Sequence, residues 1–245
     1  KLLKLHCLTA ATKLFNHLCQ RHERRAFLFD TDWCWPSMSG FDLGIEDKNT
    51  SSGIGSVNSN LQLKNSRVKA VLTFIPQVVP FKQRVSVLHA HLEQDKVQYF
   101  TSTATSAIHA QMGFGTGSLK VKVRRDHLVE DAYEELHTAE SKLKGQIKVE
   151  FVSEQGLDEA GIDGGGLFKE FIDSFSKSAF SPSFGLFVPT SHQLLTPNPD
   201  SARASVVKSD HLKYLNFVGK ILGKAVYERI LLESEFAGGF LNFLL

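Results

Sequence analysis

The side chains most able to do covalent or metal chemistry are three cysteines, Cys7, Cys19 and Cys34. A thiolate attacks carbonyls and binds zinc, provided a neighbouring cation or the metal lowers its pKa. Cys19, His22 and His17 sit close in sequence. Their spacing fits no tetrahedral zinc pattern and no fourth ligand is evident, so neither a metal nor a cofactor is expected. An odd, sparse cysteine set without CxxC spacing points to a reducing compartment rather than a disulfide framework. Carboxylates offer another chemistry. Glu130, Asp131, Glu134 and Glu135 crowd one segment, and paired acids can exchange protons with a substrate. No companion nucleophile is near them, so a solvated helix face is expected. His89 and His91 lie two apart on a predicted helix and therefore point away from each other.

The stretch DEAGIDGGGLFKEF, Asp158 to Phe171, places three glycines before a run with helical period. A phosphate-binding loop of the GxxxxGK[ST] type needs Lys and Ser or Thr at the helix entrance. Here Lys169 comes three residues after Gly166, and no Ser or Thr follows it. The residues favour a structural junction. Asp163 is expected to cap a helix that starts within Gly164 to Gly166. The glycines would allow close backbone approach, and Phe168, Phe171, Ile172 and Phe175 would bury one face.

Several elements must position these residues. Residues 1 to about 29 read as a basic amphipathic helix, with Leu5, Leu8, Phe15 and Leu18 near helical spacing. This start lacks the apolar core and cleavage site of a secretory signal. Residues 38 to 66, rich in Ser, Gly and Asn, read as a long mobile loop. Val68, Val71, Leu72 and Ile75 predict a helix ended by Pro76. A second helix is predicted from Pro80, with Phe81, Val85, Leu88 and Leu92 as its apolar stripe. Residues 100 to 118 read as another loop. Leu119, Val121 and Val123 then alternate with basic residues, the period of a half-buried strand. Asp126 is placed to cap the following helix, and Ile147, Val149 and Phe151 predict a second strand. Near the C-terminus, Phe217, Ile221, Ala225 and Leu232 read as one side of a helix, with Val218, Leu222, Val226 and Ile230 beside them. Gly219 and Gly223 on that helix are expected to permit close packing against another element.

The result is a mainly helical α+β chain. Two regions are expected: 1–118, helical with the mobile loop, and 119–245. With 28 basic and 26 acidic residues the formal net charge is +2. No nucleic-acid or membrane partner is therefore expected. No apolar run is long enough to span a bilayer, and Lys220, Lys224, Glu228 and Arg229 exclude a span at the C-terminal helix.

EAGIDGGGLFKEF resembles a hallmark of the HECT-type E3 ubiquitin–protein ligases. VKVRRDHLVEDAYEEL (121–136), IKVEFVSEQGLDEAGID (147–163), LLTPNPDS (194–201) and FVGKILGKAVYERILLESEFAGGFLNFLL (217–245) resemble further segments of the same family, in family order. Thr196 stands where a tyrosine is common, and Lys169 where arginine is frequent. The upstream segment 74–96 resembles the region before the HECT domain in the subfamily that bears an IQ motif, although no IQ motif occurs here.

The resemblance implies a partial HECT large N-terminal lobe over 119–245. It implies ubiquitin taken from a conjugating enzyme onto a cysteine, as a thioester, and passed to a substrate lysine. Conjugating enzyme, ubiquitin and protein substrates are the partners implied for the full-length protein. The implied location is cytoplasmic, with the nucleus as a second one. No cysteine occurs from residue 35 to 245. The acceptor cysteine and the small C-terminal lobe that carries it are therefore expected beyond Leu245, and no catalytic residue is assigned here. By this reading the chain is a fragment of such a ligase, inactive alone. The alternative is a non-catalytic protein-binding module.

Overall fold

Apolar period and chain punctuation set the element boundaries. The computed structural model describes residues 2–35, 66–110, 119–153 and 166–241. They fall into two compact units, residues 1–98 and 99–245. The predicted mobile loop at 38–66 lies almost wholly outside the described residues, as do Asp163, Gly164 and Gly165. Among the described residues, no helix is long and apolar enough to cross a membrane.

The first unit is helical. Helix α1 runs Leu2–Arg24, shorter than the predicted end near residue 29. The reason is local. His22 Nδ1 accepts the backbone N–H groups of Phe27 at 3.1 Å and Leu28 at 3.4 Å, so the chain folds back on α1 instead of continuing its ladder. Trp33, in a short 3-10 turn at Asp30–Trp33, then packs edge-on against Phe15 and beside His22. Helix α2, Ser66–Phe74, stops before Pro76 as predicted. Pro76 opens a single 3-10 turn, and Val78 and Val79 at its end are buried with Phe15, Val71, Leu72 and Ile75 around them. Asn16 Nδ2 donates to the Phe74 carbonyl at 3.0 Å and the Trp35 amide to the Val78 carbonyl at 3.0 Å. These bonds tie the three segments together.

Helix α3 spans Phe81–Ala110. The loop read from residue 100 is thus helical as far as Ala110. Its Ser and Thr residues lower helix propensity but do not forbid a helix, and no glycine or proline interrupts it before Gly113. Ser102 Oγ donates back to the Tyr99 carbonyl at 2.8 Å, so its hydroxyl is satisfied within the helix.

The second unit is an α+β layer. Strands β1 (Leu119–Arg124) and β2 (Ile147–Val152) pair in parallel, Val121 beside Val149 and Val123 beside Phe151. A parallel pair needs a crossover, here helix α4, Leu128–Leu136, and a 3-10 turn at Glu140–Lys144. The predicted alternation is present: Val121, Val123, Ile147, Val149 and Phe151 are buried and the lysines between them exposed. Helix α5, Gly166–Ala179, lays Phe171, Ile172 and Phe175 into this core. A short antiparallel pair follows, β3 (Phe187–Pro189) with β4 (Leu195–Pro197), then α6 (Ser201–Ala204), α7 (His211–Tyr227) and α8 (Gly238–Leu241). Phe217 of α7 meets Phe175 edge-on at 5.7 Å. Each such fully buried ring contributes about 2 kcal/mol. The segment after α7 returns to β4: the Leu195 amide donates to the Glu235 carbonyl and the Ala237 amide to the Leu195 carbonyl, both at 2.8 Å.

Candidate functional site

The end of β1 gathers the polar residues singled out in the sequence. The Arg124 guanidinium holds the Asp131 carboxylate with two bonds, Nη2 to Oδ1 at 2.7 Å and Nε to Oδ2 at 3.0 Å, and the Arg124 amide adds a third at 2.9 Å. This fork holds the Asp131 carboxyl below the usual carboxylate range, chiefly through the Arg124 hydrogen bond. It raises the Arg124 guanidinium for the same reason. Asp131 therefore locks α4 to β1. Glu134 and Glu135 remain exposed, and Glu130 is half-buried. The four acids form no acid–base pair; one is a structural anchor and two are solvated.

Next along the chain, Arg125 Nη1 donates to Glu170 of α5 at 2.8 Å, and its guanidinium lies 4.3 Å from the centre of the Phe151 ring. The family-like triplet Lys169-Glu170-Phe171 thus divides its work: Lys169 faces solvent, Glu170 pins the helix and Phe171 fills the core. Helix α5 begins at Gly166, so its capping by Asp163 falls outside the described residues. The cap expected from Asp126 is not made. The N-cap of α4 is His127, without a side-chain cap bond, and Asp126 instead lies 3.3 Å from the His127 ring. The reason is one residue of register: a cap must sit immediately before the first helical residue, here Leu128.

The cysteines lie in the first unit. Cys7 is exposed, Cys34 half-buried and Cys19 buried. Cys19 and His22 occupy the packed face of α1 while His17 is exposed, so the three are not convergent. Among the described residues no group of three or more His, Cys, Asp or Glu is placed to hold a metal ion.

Helix α7 departs most from its sequence reading. It ends at Tyr227, and Arg229 takes a left-handed φ of 58°. Ile230 and Leu232 therefore pack from the following strap, not from the helix, and Val226 faces out. Gly219 and Gly223 are exposed, with no described atom within 4 Å of where a Cβ would stand. The expected close packing is absent, because both fall on the helix face opposite Phe217, Ile221 and Ala225. Gly219→Ala and Gly223→Ala should each stabilise the fold by about 1 kcal/mol through helix propensity alone. Urea midpoints of the two variants would show it, and a loss of stability in either would place a neighbour on that face.

Two features of α7 carried no sequence signal. Lys224 is buried: Nζ donates to the Gly145 carbonyl at 2.8 Å and to Glu228 Oε1 at 2.6 Å. Tyr214 stacks on Tyr133 of α4 at 4.1 Å, and Tyr133 in turn stacks on His137. Burial, with smaller contributions from Glu130 and other nearby groups, pushes the Tyr214 phenol up to about 12. Tyr214 thus stays protonated at neutral pH and serves packing.

Residues 173–245 match the family model described as HECT-domain (ubiquitin-transferase). The chain is 36% identical over 181 residues to E3 ubiquitin-protein ligase UPL6 of Arabidopsis thaliana, covering 74% of this chain and 16% of that protein. It is 36% identical over 188 residues to Ubiquitin-protein ligase E3B of Homo sapiens, covering 76% and 16%. It is 31% identical over 199 residues to E3 ubiquitin-protein ligase HUL5 of Saccharomyces cerevisiae, covering 75% and 20%. The chain thus spans a fifth or less of the length of these curated relatives.

Proposed function

From the HECT-domain (ubiquitin-transferase) sequence that this chain carries at residues 173–245, we propose that it is part of an E3 ubiquitin–protein transferase. Its likeness to ligases over about three quarters of its length supports this reading. In that reaction an enzyme thiolate attacks the carbonyl of the thioester joining ubiquitin to the conjugating enzyme. The conjugating enzyme's thiolate leaves, and the amine of a substrate lysine later attacks the new thioester. Conjugating enzyme, ubiquitin and substrate proteins are the partners, and the cytoplasm, with the nucleus, is the site of action. Residues 119–245 belong to the large lobe and 1–118 to a helical region before it.

In this reading the chain supplies scaffold and not the acceptor thiolate. The observation that carries it is the placement of the cysteines. All three precede residue 35, outside the core built by β1, α4, β2, α5 and α7. Acyl transfer needs a thiolate held against the incoming carbonyl carbon, and buried Cys19 offers no such access. The isolated chain is expected to form no ubiquitin thioester. The assay adds it to a ubiquitin-charged conjugating enzyme and looks on a non-reducing gel for a reductant-sensitive adduct. An adduct lost on Cys→Ala substitution at position 7, 19 or 34 would refute the scaffold role.

A further inference from the structure

Strands β1 and β2 bury one face and show the other to solvent. Val121, Val123, Val149 and Phe151 fill the core, so Lys120, Lys122, Lys148 and Glu150 share the outer face. The register sets Lys122 beside Glu150 and Lys120 beside Lys148. Lys122 Nζ lies 3.6 Å from the Glu150 carboxylate, an ordinary cross-strand ion pair. The other pair has no such relief. Lys120 and Lys148 are both exposed, and neither forms an ion pair among the described residues. Like charges directly opposite each other destabilise a sheet. One glutamate at either position would remove that cost, as Glu150 does at the next step along.

The same end of the sheet collects more positive charge. Lys142 and Lys144, both exposed, lie on the 3-10 turn that leads into β2. The Leu119 amide donates to the Gln146 carbonyl at 3.0 Å, which ties the start of β1 to the end of that approach. No acidic residue occurs at 119–125 or 141–149, and Glu140 at the head of the turn is the nearest in sequence. The acids stand at the opposite end of the sheet, where Asp131, Glu134 and Glu135 line a cleft with Lys122 and Arg124. The second unit as a whole holds 15 basic and 18 acidic residues. The lysines are therefore a small basic patch on an acidic body.

That contrast selects the occupant. Charges are felt over about 10 Å at ordinary salt. A nucleic-acid duplex or an anionic bilayer is larger than the patch and would also meet the acidic surroundings. A short acidic segment meets the lysines alone. We infer that the Lys120–Lys148 face, with Lys142 and Lys144 beside it, binds an acidic segment of a partner protein, whose carboxylates relieve the opposed lysines.

The probe is a fluorescein-labelled peptide of about eight residues, glutamate alternating with serine, enough to run along the strands. Fluorescence anisotropy with the whole chain should show saturable binding that weakens as salt rises. Lys120→Glu is the deciding variant. It gives Lys148 an opposite charge, so it should raise the urea midpoint while weakening peptide binding at least about tenfold. A lysine that is merely solvated would show the first effect without the second. Lys169→Glu with Lys177→Glu changes more charge at exposed positions of α5 and should leave binding within about twofold, because those positions lie off the patch. Absence of binding to the wild type, unchanged affinity in Lys120→Glu, or an equal loss in the α5 variant overturns the inference. A fall in the urea midpoint of Lys120→Glu does so too, since the pair would then carry no cost. So does tighter binding of an oligothymidylate of the same length, or of vesicles containing phosphatidylserine, either of which would make the face a phosphate site.

Discussion

Lys224→Ala is expected to destabilise the second unit by about 3 kcal/mol, from the void left by a buried stem and the loss of a donor to a buried carbonyl. The side chain is only 3% exposed, and its ammonium sits 2.6 Å from Glu228. It also donates to the Gly145 carbonyl at the start of the approach to β2, and lies near the Tyr227 and Phe168 rings. Three elements thus converge on one cation: α7, α5 and the turn before β2. Removing it leaves the Glu228 carboxylate and a buried carbonyl short of their donor, and opens a void the length of the lysine stem. Lys224→Met keeps the volume and loses only the charge, and should cost less. Pairing it with Glu228→Gln should recover part of that loss, since no carboxylate then faces the site that has lost its ammonium. Chemical denaturation of the three variants and the wild type measures this directly. A Lys224→Ala loss under about 1 kcal/mol, typical of a surface residue, would show that the contact contributes little.

Gly185→Ala is expected to be as damaging, for a different reason. Gly185 has a φ of 81°, in the left-handed region. An added Cβ would stand 2.4 Å from the Ala204 carbonyl oxygen and 2.6 Å from Ser205 Cα. Those are backbone atoms and cannot swing aside. The same backbone is fixed on both sides. Asn198 Nδ2 donates to the Gly185 carbonyl at 2.9 Å, and the Val206 amide to the Phe184 carbonyl at 3.1 Å. A left-handed alanine alone costs about 1–2 kcal/mol, and the collision adds to it, for a total of about 3 kcal/mol or more. Gly185→Asn separates the two causes, because asparagine tolerates this φ but still carries a Cβ. If the collision dominates, Asn is as harmful as Ala. Wild-type melting behaviour in both variants would mean that the turn before β3 and the end of α6 do not approach this closely.

Much of the second unit was legible in the chain itself. Val121 and Val123 against Lys120 and Lys122 announce a strand, because successive side chains on an extended backbone point to opposite faces. Phe171, Ile172 and Phe175 announce the buried face of α5, because residues three and four apart share one side of a helix. Both predictions concern how a side chain points relative to its own backbone, and that is fixed by local geometry. The same rule found the stripe Phe81-Val85-Leu88-Leu92 on α3. What it cannot report is how far that face is covered, and among the described residues Phe81 and Leu88 are exposed while Val85 and Leu92 are half-buried. Gly219 and Gly223 failed in the same way, since a GxxxG spacing permits close approach without supplying anything to approach. Lys224 failed in the opposite sense. A lysine on a helix reads as solvated, and only the arrival of the Gly145 carbonyl, 79 residues earlier in the chain, makes it a buried anchor. Gly185 likewise needs the backbone of Ala204 beside it before its missing Cβ matters. Periodicity, an i to i+4 property, determined the elements and their apolar faces. Contacts between residues far apart in sequence, which no local period encodes, decided which faces were covered and which single residues hold the fold.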